Sequence, residues 1–424
     1  MRSDKNWLEY LKLTINDRKI KMIKSKCKID NQVSKTFQSL FLKDYSKHNS
    51  MVFANEEKRK NKEKVRNKVV VGFNVRITLA DKRTNPEGFT FQEMYEDPDI
   101  HGEMLLRMSA WTRSKMKFDW EMGLPKKWEI SPYAANVYED SLLGAKVIFP
   151  GGYEVPATRP HFIGDDSFQQ FMDYPFKSLP DQGHMRMIHE TYLHWQDKCD
   201  KGWEYLGVPV KVKPCICGTD GPFTIACNVF GAQEICLMML DDPERFHIIM
   251  NRIVELAVKR IKEMSELYHT PWIPENVKSF GFADDMIAII SNETYIEMVL
   301  PHHKKLIKEL APNASSLSIH LCGDSSRHFK TIKEELNVKS FDTGFPISFD
   351  NLRDCIGNDA CVSGGPKCNL FLGSKNELVN ETIRIAKSAV ANLGSFTMRE
   401  GNNLPPLVPD ENLEAFYEAA VHAG

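Results

Sequence analysis

The stretch SLSIHLCGD at residues 316–324 alternates apolar and small or polar residues and then ends in a glycine-containing turn. Such alternation is typical of a β-strand, on which residues two apart point to the same side. His320 and Cys322 are therefore predicted to share one side at the carboxyl end of a strand. Imidazole and thiolate together suit zinc. A core histidine beside an inert buried cysteine would give the same pattern.

Four further strand-like runs flank this stretch, and each is separated from the next by a predicted helix. They are residues 277–285, 338–344, 360–366 and 395–401. Repeated strand-then-helix units predict a parallel sheet, either open or closed into a barrel. All five runs end in or just before polar or thiol side chains, and a (β/α)8 barrel builds its active site from many strand ends at once. An open sheet concentrates its ligands at one switch point instead. The sequence therefore predicts an α/β fold of the (β/α)8 TIM barrel class.

The first part of the chain has a different composition. Residues 1–70 carry 19 Lys and Arg against 8 Asp and Glu, mixed with apolar residues, a pattern that favours amphipathic helices over a nucleic-acid-binding tail. We expect a basic, helical extension over residues 1–68 and a barrel domain over 69–424. Ten cysteines without a secretory leader and the lack of a long apolar segment predict a cytoplasmic protein that neither spans a membrane nor binds nucleic acid.

Several short motifs follow one another in a characteristic order. They are GPFT at 221–224, LDDPE at 240–244, ADD at 283–285, HLCG at 320–323, LPP at 404–406 and PDENL at 409–413. In this order they resemble the uroporphyrinogen decarboxylase-like superfamily, over roughly residues 70–424. The resemblance implies a single (β/α)8 barrel.

Within this superfamily the chain resembles the corrinoid-dependent methyltransferases. The Arg-rich motif with which the true decarboxylases hold porphyrin carboxylates is not found, whereas the His-x-Cys-Gly motif of the methyltransferases is complete at His320. The resemblance implies that His320 and Cys322 hold a metal, expected to be zinc, and that a methyl group passes to Co(I). The segment DIHGEM at residues 99–104 does not complete a corrinoid-binding motif. The cobalamin is therefore expected on a separate corrinoid protein.

The third metal ligand is less well defined by the resemblance. Thiol-methylating members of this branch carry a further cysteine near the last strand, and Asn402 stands at that position here. This departure argues against a zinc-bound thiol as acceptor and favours similarity to the methyltransferases of O-demethylase systems, with a methoxylated aromatic as methyl donor. Glu400 is the predicted third ligand, although a solvated or Arg-paired carboxylate would fit as well. Cys368 is the competing choice.

Three aspartates are candidates for catalysis, namely Asp284, Asp285 and Asp342. Asp284 and Asp285 are adjacent and are expected to point in opposite directions, so that one of them enters the site to orient a substrate or carry a proton. Capping of the following helix is the alternative role. His302 and His303 are predicted to lie at the surface. Two other functions stay open, a uroporphyrinogen-type decarboxylase that needs no metal and a non-catalytic barrel that binds a small molecule.

Overall fold

The strands of the protein give the framework of the fold. The computed structural model describes residues 31–152, 154–176, 182–215 and 218–423. The strands in these ranges are β1 (Lys68–Val69), β2 (Trp128–Ile130), β3 (Val147–Ile148), β4 (Ala157–Thr158), β5 (Glu204–Tyr205), β6 (Val208–Val212), β7 (Ser279–Ala283), β8 (Ser316–Leu321), β9 (Val338–Thr343), β10 (Cys361–Gly364) and β11 (Phe396–Met398). The five runs of the sequence analysis correspond to β7 to β11.

Eight of these strands have a parallel neighbour, and they lie in two separate sheets. β7, β8, β9, β10, β11 and β1 are neighbours in this order in one sheet, and every pair in it is parallel. β1 therefore closes onto β11, with Lys68 opposite Thr397. The remaining two, β2 and β6, pair parallel with each other. Pairing of the first strand with the last is the hallmark of a closed barrel, and the predicted (β/α)8 class is confirmed.

Helices cover the outside of the strands. The α-helices of the described residues are Asn31–Leu40, Ser46–Lys60, Val75–Ala80, Phe91–Glu96, Pro98–Lys115, Tyr138–Leu142, Ser167–Asp173, Gly183–Asp200, Pro222–Phe230, Ala232–Asp241, Pro243–Leu267, Asn292–Thr294, Leu300–Leu310, Phe329–Leu336, Leu352–Ile356, Lys375–Ala386, Ala389–Asn392 and Asp410–Ala423. In these ranges no single helix is long and apolar enough to cross a membrane. One pair, Pro222–Phe230 with Ala232–Asp241, reaches that length and composition together but bends by 110°.

The longest helix, Pro243–Leu267, shows why the sequence folds in this way. The Asp242 side chain accepts a hydrogen bond from the N–H of Arg245 at 3.1 Å, and Pro243 occupies the first helical position. Both features favour helix initiation. Its buried residues recur every three or four positions from Phe246 to Ile261, which gives one apolar face toward the barrel.

Two helices, Asn31–Leu40 and Ser46–Lys60, precede the first barrel strand. Phe37 packs edge-on against Trp111, with ring centroids 6.3 Å apart, and the Asn49 amide donates to the carbonyl of Met122 at 2.9 Å. This part of the predicted helical extension therefore lies against the barrel domain. Residues 1–30 are outside the described residues, and the domain limits at 68 and 69 stay a prediction.

The apolar run at residues 69–75 contributes only a short strand. Only Lys68–Val69 is strand. The helix Val75–Ala80 begins at Asn74, whose side chain accepts the N–H of Arg76 at 3.0 Å. β3 and β4 form an antiparallel pair, with Val147 opposite Thr158.

Candidate active site

A one-residue irregularity in the sheet sets the centre of the site. Leu317 on β8 lies opposite Val338 on β9, but Ser318 lies opposite Ser340, so one residue of β9 is skipped. This shift brings His320 opposite Asp342 instead of Phe341. Because side chains alternate along a strand, a slip of one residue exchanges the two faces. The His320 imidazole consequently meets a carboxylate, and its Nδ1 lies 2.9 Å from Asp342 Oδ2.

The other nitrogen of His320 faces two further ligand-type atoms. Nε2 lies 3.1 Å from Cys322 Sγ and 3.9 Å from Asp285 Oδ1. Within the described part of the chain, His320, Cys322 and Asp285 are the one such trio whose ligand atoms all lie within 4.8 Å of one another. Around one tetrahedral zinc, N, O and S ligands are about 3.4–3.6 Å apart. The three side chains therefore fit a zinc ion with small movements.

The charges around His320 favour its protonated form when no metal is bound. Burial lowers the pKa of His320, but its hydrogen bonds to Asp342 and Cys322 and the charge of Asp285 outweigh burial and raise the pKa to about 10. Burial also raises the pKa of the Cys322 thiol. A metal at this position must displace both protons, since it binds neutral imidazole and thiolate.

Asn402 belongs to the same group. Its side-chain amide donates to Cys322 Sγ at 3.1 Å, so the residue that replaces the family's third cysteine still contacts the sulfur. The thiol of Cys368, the competing ligand of the sequence analysis, interacts with the backbone of Asn402, and burial raises its pKa. Cys368 is not a member of the trio of ligand-type side chains.

The Glu400 carboxylate is bound by other groups of the protein. Its side chain is fully buried, and its two oxygens accept the N–H of Gly72 at 2.9 and 2.8 Å. The Arg399 guanidinium donates to the same carboxylate at 2.9 Å. Glu400 as third ligand stays a prediction, but the carboxylate that the fold brings to His320 and Cys322 is Asp285.

The side chains of the adjacent residues Asp284 and Asp285 contact different parts of the protein. Asp285 begins the 3₁₀ turn Asp285–Ile289, and its Oδ1 accepts the N–H of Cys322 at 2.7 Å. Asp284 is completely buried and accepts the N–H of Thr224 at 2.8 Å and of Phe223 at 3.1 Å. These amides belong to the first turn of the helix Pro222–Phe230, where a carboxylate is favoured. Asp284 thus holds a helix terminus.

His303 completes this buried group. Its Nε2 lies 2.8 Å from Asp284 Oδ2, and its Nδ1 lies 3.1 Å from the hydroxyl of Tyr295. The prediction that His302 and His303 lie at the surface is wrong, because both are buried. The amphipathic helix Leu300–Leu310 turns this side inward, and burial of His302 is accompanied by a hydrogen bond to His247 at 2.9 Å.

A carboxylate group near the trio was not anticipated. Asp220 donates its N–H to the buried Glu139 at 2.8 Å. Burial and the charges of Glu139, Asp140 and Asp285 raise the pKa of Asp220 to about 8. Burial beside three other carboxylates thus favours the protonated form of Asp220.

Comparison with known proteins assigns the chain to a family. The model of the uroporphyrinogen decarboxylase (URO-D) family matches residues 208–423, slightly more than half of the chain. The chain belongs to the uroporphyrinogen decarboxylase family. The matched region contains β6 to β11 and every residue of the trio. The family resemblance inferred from the order of short motifs is thereby confirmed.

Two proteins of Methanosarcina mazei are similar to this member of the uroporphyrinogen decarboxylase family. Over 146 residues it is 32% identical to the methylated-thiol–coenzyme M methyltransferase, a match of 34% of this chain and 36% of that protein. The chain thus spans about a third of the length of that curated relative. A solved methyltransferase superposes with a TM-score of 0.58 at 14% identity, over 86% of this chain and 96% of the other. The second likeness shows the shared fold.

Proposed function

We propose that this member of the uroporphyrinogen decarboxylase family is a methyltransferase that moves a methyl group from a small methylated molecule to Co(I) of a separate corrinoid protein. The observation that carries the proposal is the trio His320, Cys322 and Asp285 at the carboxyl ends of β7 and β8, where barrel enzymes perform their chemistry. The similarity to a named methyltransferase over 146 residues supports it. The corrinoid partner follows from the resemblance of the His-x-Cys-Gly motif.

The ligand set is compatible with zinc. When bound, zinc would supply Lewis acidity to the heteroatom of the methyl donor as that atom gains negative charge. Asp342 accepts the Nδ1 proton of His320 and leaves Nε2 available, an arrangement that orients metal-binding histidines. The Asn402 amide donates to Cys322 Sγ and so reduces the charge on the sulfur.

We further propose a methoxylated aromatic as methyl donor. The support for this donor is residue 402. It is an asparagine here, whereas the thiol-methylating members of the branch that this chain resembles carry a cysteine at that position. A ligand set with one sulfur is less electron-rich than one with two, and a less electron-rich metal is the better Lewis acid. That property favours an aryl ether, since a phenolate is a reluctant leaving group. A methylated thiol is the competing donor, because the relative's name contains one.

The test is an anaerobic methyl-transfer assay with free cob(I)alamin as acceptor. We expect 2-methoxyphenol to convert the cob(I)alamin absorption spectrum to that of methylcobalamin, and dimethyl sulfide to be a poorer donor. His320→Ala is the matched inactive variant. Transfer from dimethyl sulfide alone would overturn the donor assignment. Lack of transfer from either donor, together with decarboxylation of uroporphyrinogen, would overturn the methyltransferase proposal.

A further inference from the structure

A continuous chain of polar contacts leads from the barrel closure to the trio. The Gly72 N–H binds Glu400 at 2.8 and 2.9 Å, and Glu400 accepts from Arg399 Nη2 at 2.9 Å. Arg399 Nη1 lies 3.3 Å from both oxygens of Asp342. Asp342 in turn lies 2.9 Å from His320 Nδ1. These contacts connect the segments that follow β1 and β11 with Asp342 on β9 and His320 on β8.

Each residue in this series of contacts restricts the orientation of the next one. Without Arg399, the Asp342 carboxylate would be held by His320 alone, and it is partly exposed, with 36% of its side chain accessible. The guanidinium is planar and contacts two carboxylates at once, which fixes the direction of both. Glu400 is buried and balances the charge of Arg399. Its counter-charge explains why an arginine is tolerated so close to the trio.

Gly72 also belongs to this network of polar contacts. A Cβ at residue 72 would collide with the Glu400 carboxylate and lie 2.9 Å from Arg399 Nη2. Both contacts are shorter than real Cβ atoms show. The backbone just after β1 therefore approaches Glu400 closely because residue 72 has no side chain.

We propose that Arg399 and Glu400 are positioning residues, which hold the Asp342 carboxylate on Nδ1 of His320 and thereby direct Nε2 toward Cys322 and Asp285. This inference rests on the proposed function, in which those three side chains hold the metal. In this proposal Glu400 and Asp342 orient the metal ligands and are not ligands themselves. Neither residue then needs to touch the metal or the substrate.

The first readout does not require a metal. In metal-free protein labelled with 15N-histidine, the Nδ1 proton of His320 should give a downfield resonance that is absent in His320→Gln. We expect that resonance to disappear in Arg399→Met and in Asp342→Asn and to persist in Arg399→Lys. The matched control is Arg384→Met, since Arg384 also joins two carboxylates, Glu381 and Asp350, but at the exposed surface. An unchanged resonance in folded Arg399→Met would overturn the proposal.

The second readout is zinc affinity, measured by competition with a chromophoric chelator. Loss of an outer partner of a metal-binding histidine lowers affinity by about 10- to 100-fold, so Arg399→Met should fall in that range and Arg384→Met should match the parent. Arg399→Met combined with Glu400→Gln removes both buried charges and serves if the single variant fails to fold. Parental affinity in either folded variant would overturn the proposal. A parent chain that binds no zinc would instead refute the proposed metal site, and the histidine resonance would still decide the role of Arg399.

Discussion

Two histidine–aspartate pairs in this protein have nearly the same geometry but different surroundings. His303 and Asp284 are 2.8 Å apart and both completely buried. His320 and Asp342 are 2.9 Å apart, with 35% and 36% of their side chains exposed. Asp284 is the neighbour in sequence of Asp285, a member of the trio. The end of β7 thus supplies Asp284 to the buried pair and Asp285 to the trio that contains His320.

The difference lies in the second nitrogen of each imidazole. In His303 the second nitrogen, Nδ1, contacts the hydroxyl of Tyr295 at 3.1 Å. Both ring nitrogens therefore have a hydrogen-bonding partner. In His320 the second nitrogen faces a thiol and a carboxylate, which are ligands for a metal. A histidine–aspartate pair therefore indicates a reactive site only where one nitrogen is left to an exposed, ligand-type neighbour. The following predictions test that distinction, in order of decreasing effect.

Substitution of the two adjacent aspartates should separate stability from chemistry. Asp284→Ala leaves a buried histidine and two helix-terminal N–H groups without their carboxylate, and we expect the free energy of unfolding to fall by about 3–5 kcal/mol. Asp285→Ala is the matched control, and its half-exposed site should cost less than about 1 kcal/mol. Urea unfolding measures both. Equal losses would contradict the assignment of separate roles.

The two histidines should show the opposite pattern for metal. His320→Ala is expected to lower zinc affinity by more than about 100-fold, the upper end of an outer-partner effect, with little change in urea midpoint. His303→Ala should lower the midpoint and leave the zinc affinity of the folded protein near the parental value. Chelator competition and urea unfolding distinguish the two. Strong zinc binding by His320→Ala would remove the trio from consideration as the metal site.

Asp342→Asn tests the partner of His320. The amide can no longer accept as strongly from Nδ1, so zinc affinity should fall by about 10- to 100-fold. The ligand-field spectrum of the Co(II)-loaded protein should also change, because the imidazole can rotate. An exposed carboxylate outside the site, in Asp359→Asn, is the control for loss of one charge.

Asn402→Cys tests whether residue 402 selects the chemistry. A second thiol next to Cys322 should increase zinc affinity by about fivefold, since zinc favours thiolate ligands, and should intensify the sulfur-to-cobalt absorption of the Co(II) form. Asn402→Ala removes the amide without adding sulfur and provides the comparison. If both variants have the same spectrum, residue 402 lies too far from the metal to contribute a ligand.

Acidification should weaken the buried region slightly. Burial, with the neighbouring His247, His303 and Lys305, lowers the pKa of His302 to about 3. The unfolded chain takes up this proton near pH 6.5 and the folded chain does not, so stability that is complete above that pH is lost as the pH falls toward 3. Between pH 7 and 6 the loss from this one group is up to about 0.7 kcal/mol. His302→Gln should reduce the pH dependence of the urea midpoint, and a slope equal to the parent's would argue against this role.

The sequence alone determined the barrel and the position of two ligand-type residues. Repeated strand-then-helix units specify a parallel sheet because each element carries its own periodicity. The period of two on a strand was sufficient to put His320 and Cys322 on one side. These are local properties, and each depends on residues within a few positions of one another.

The partners of those residues were decided only by the tertiary structure. Asp285, Asp342 and Asn402 come from three other strand ends, and the shift between Leu317 and Ser318 selects Asp342 over its neighbour. Nothing local signals such a shift. The sequence offers Glu400 as a ligand, and only the fold shows that its buried carboxylate accepts hydrogen bonds from Gly72 and Arg399. His303 is polar in sequence, yet the fold buries it between Asp284 and the Tyr295 hydroxyl. Contacts between separate strands depend on register and burial, which a linear pattern does not contain.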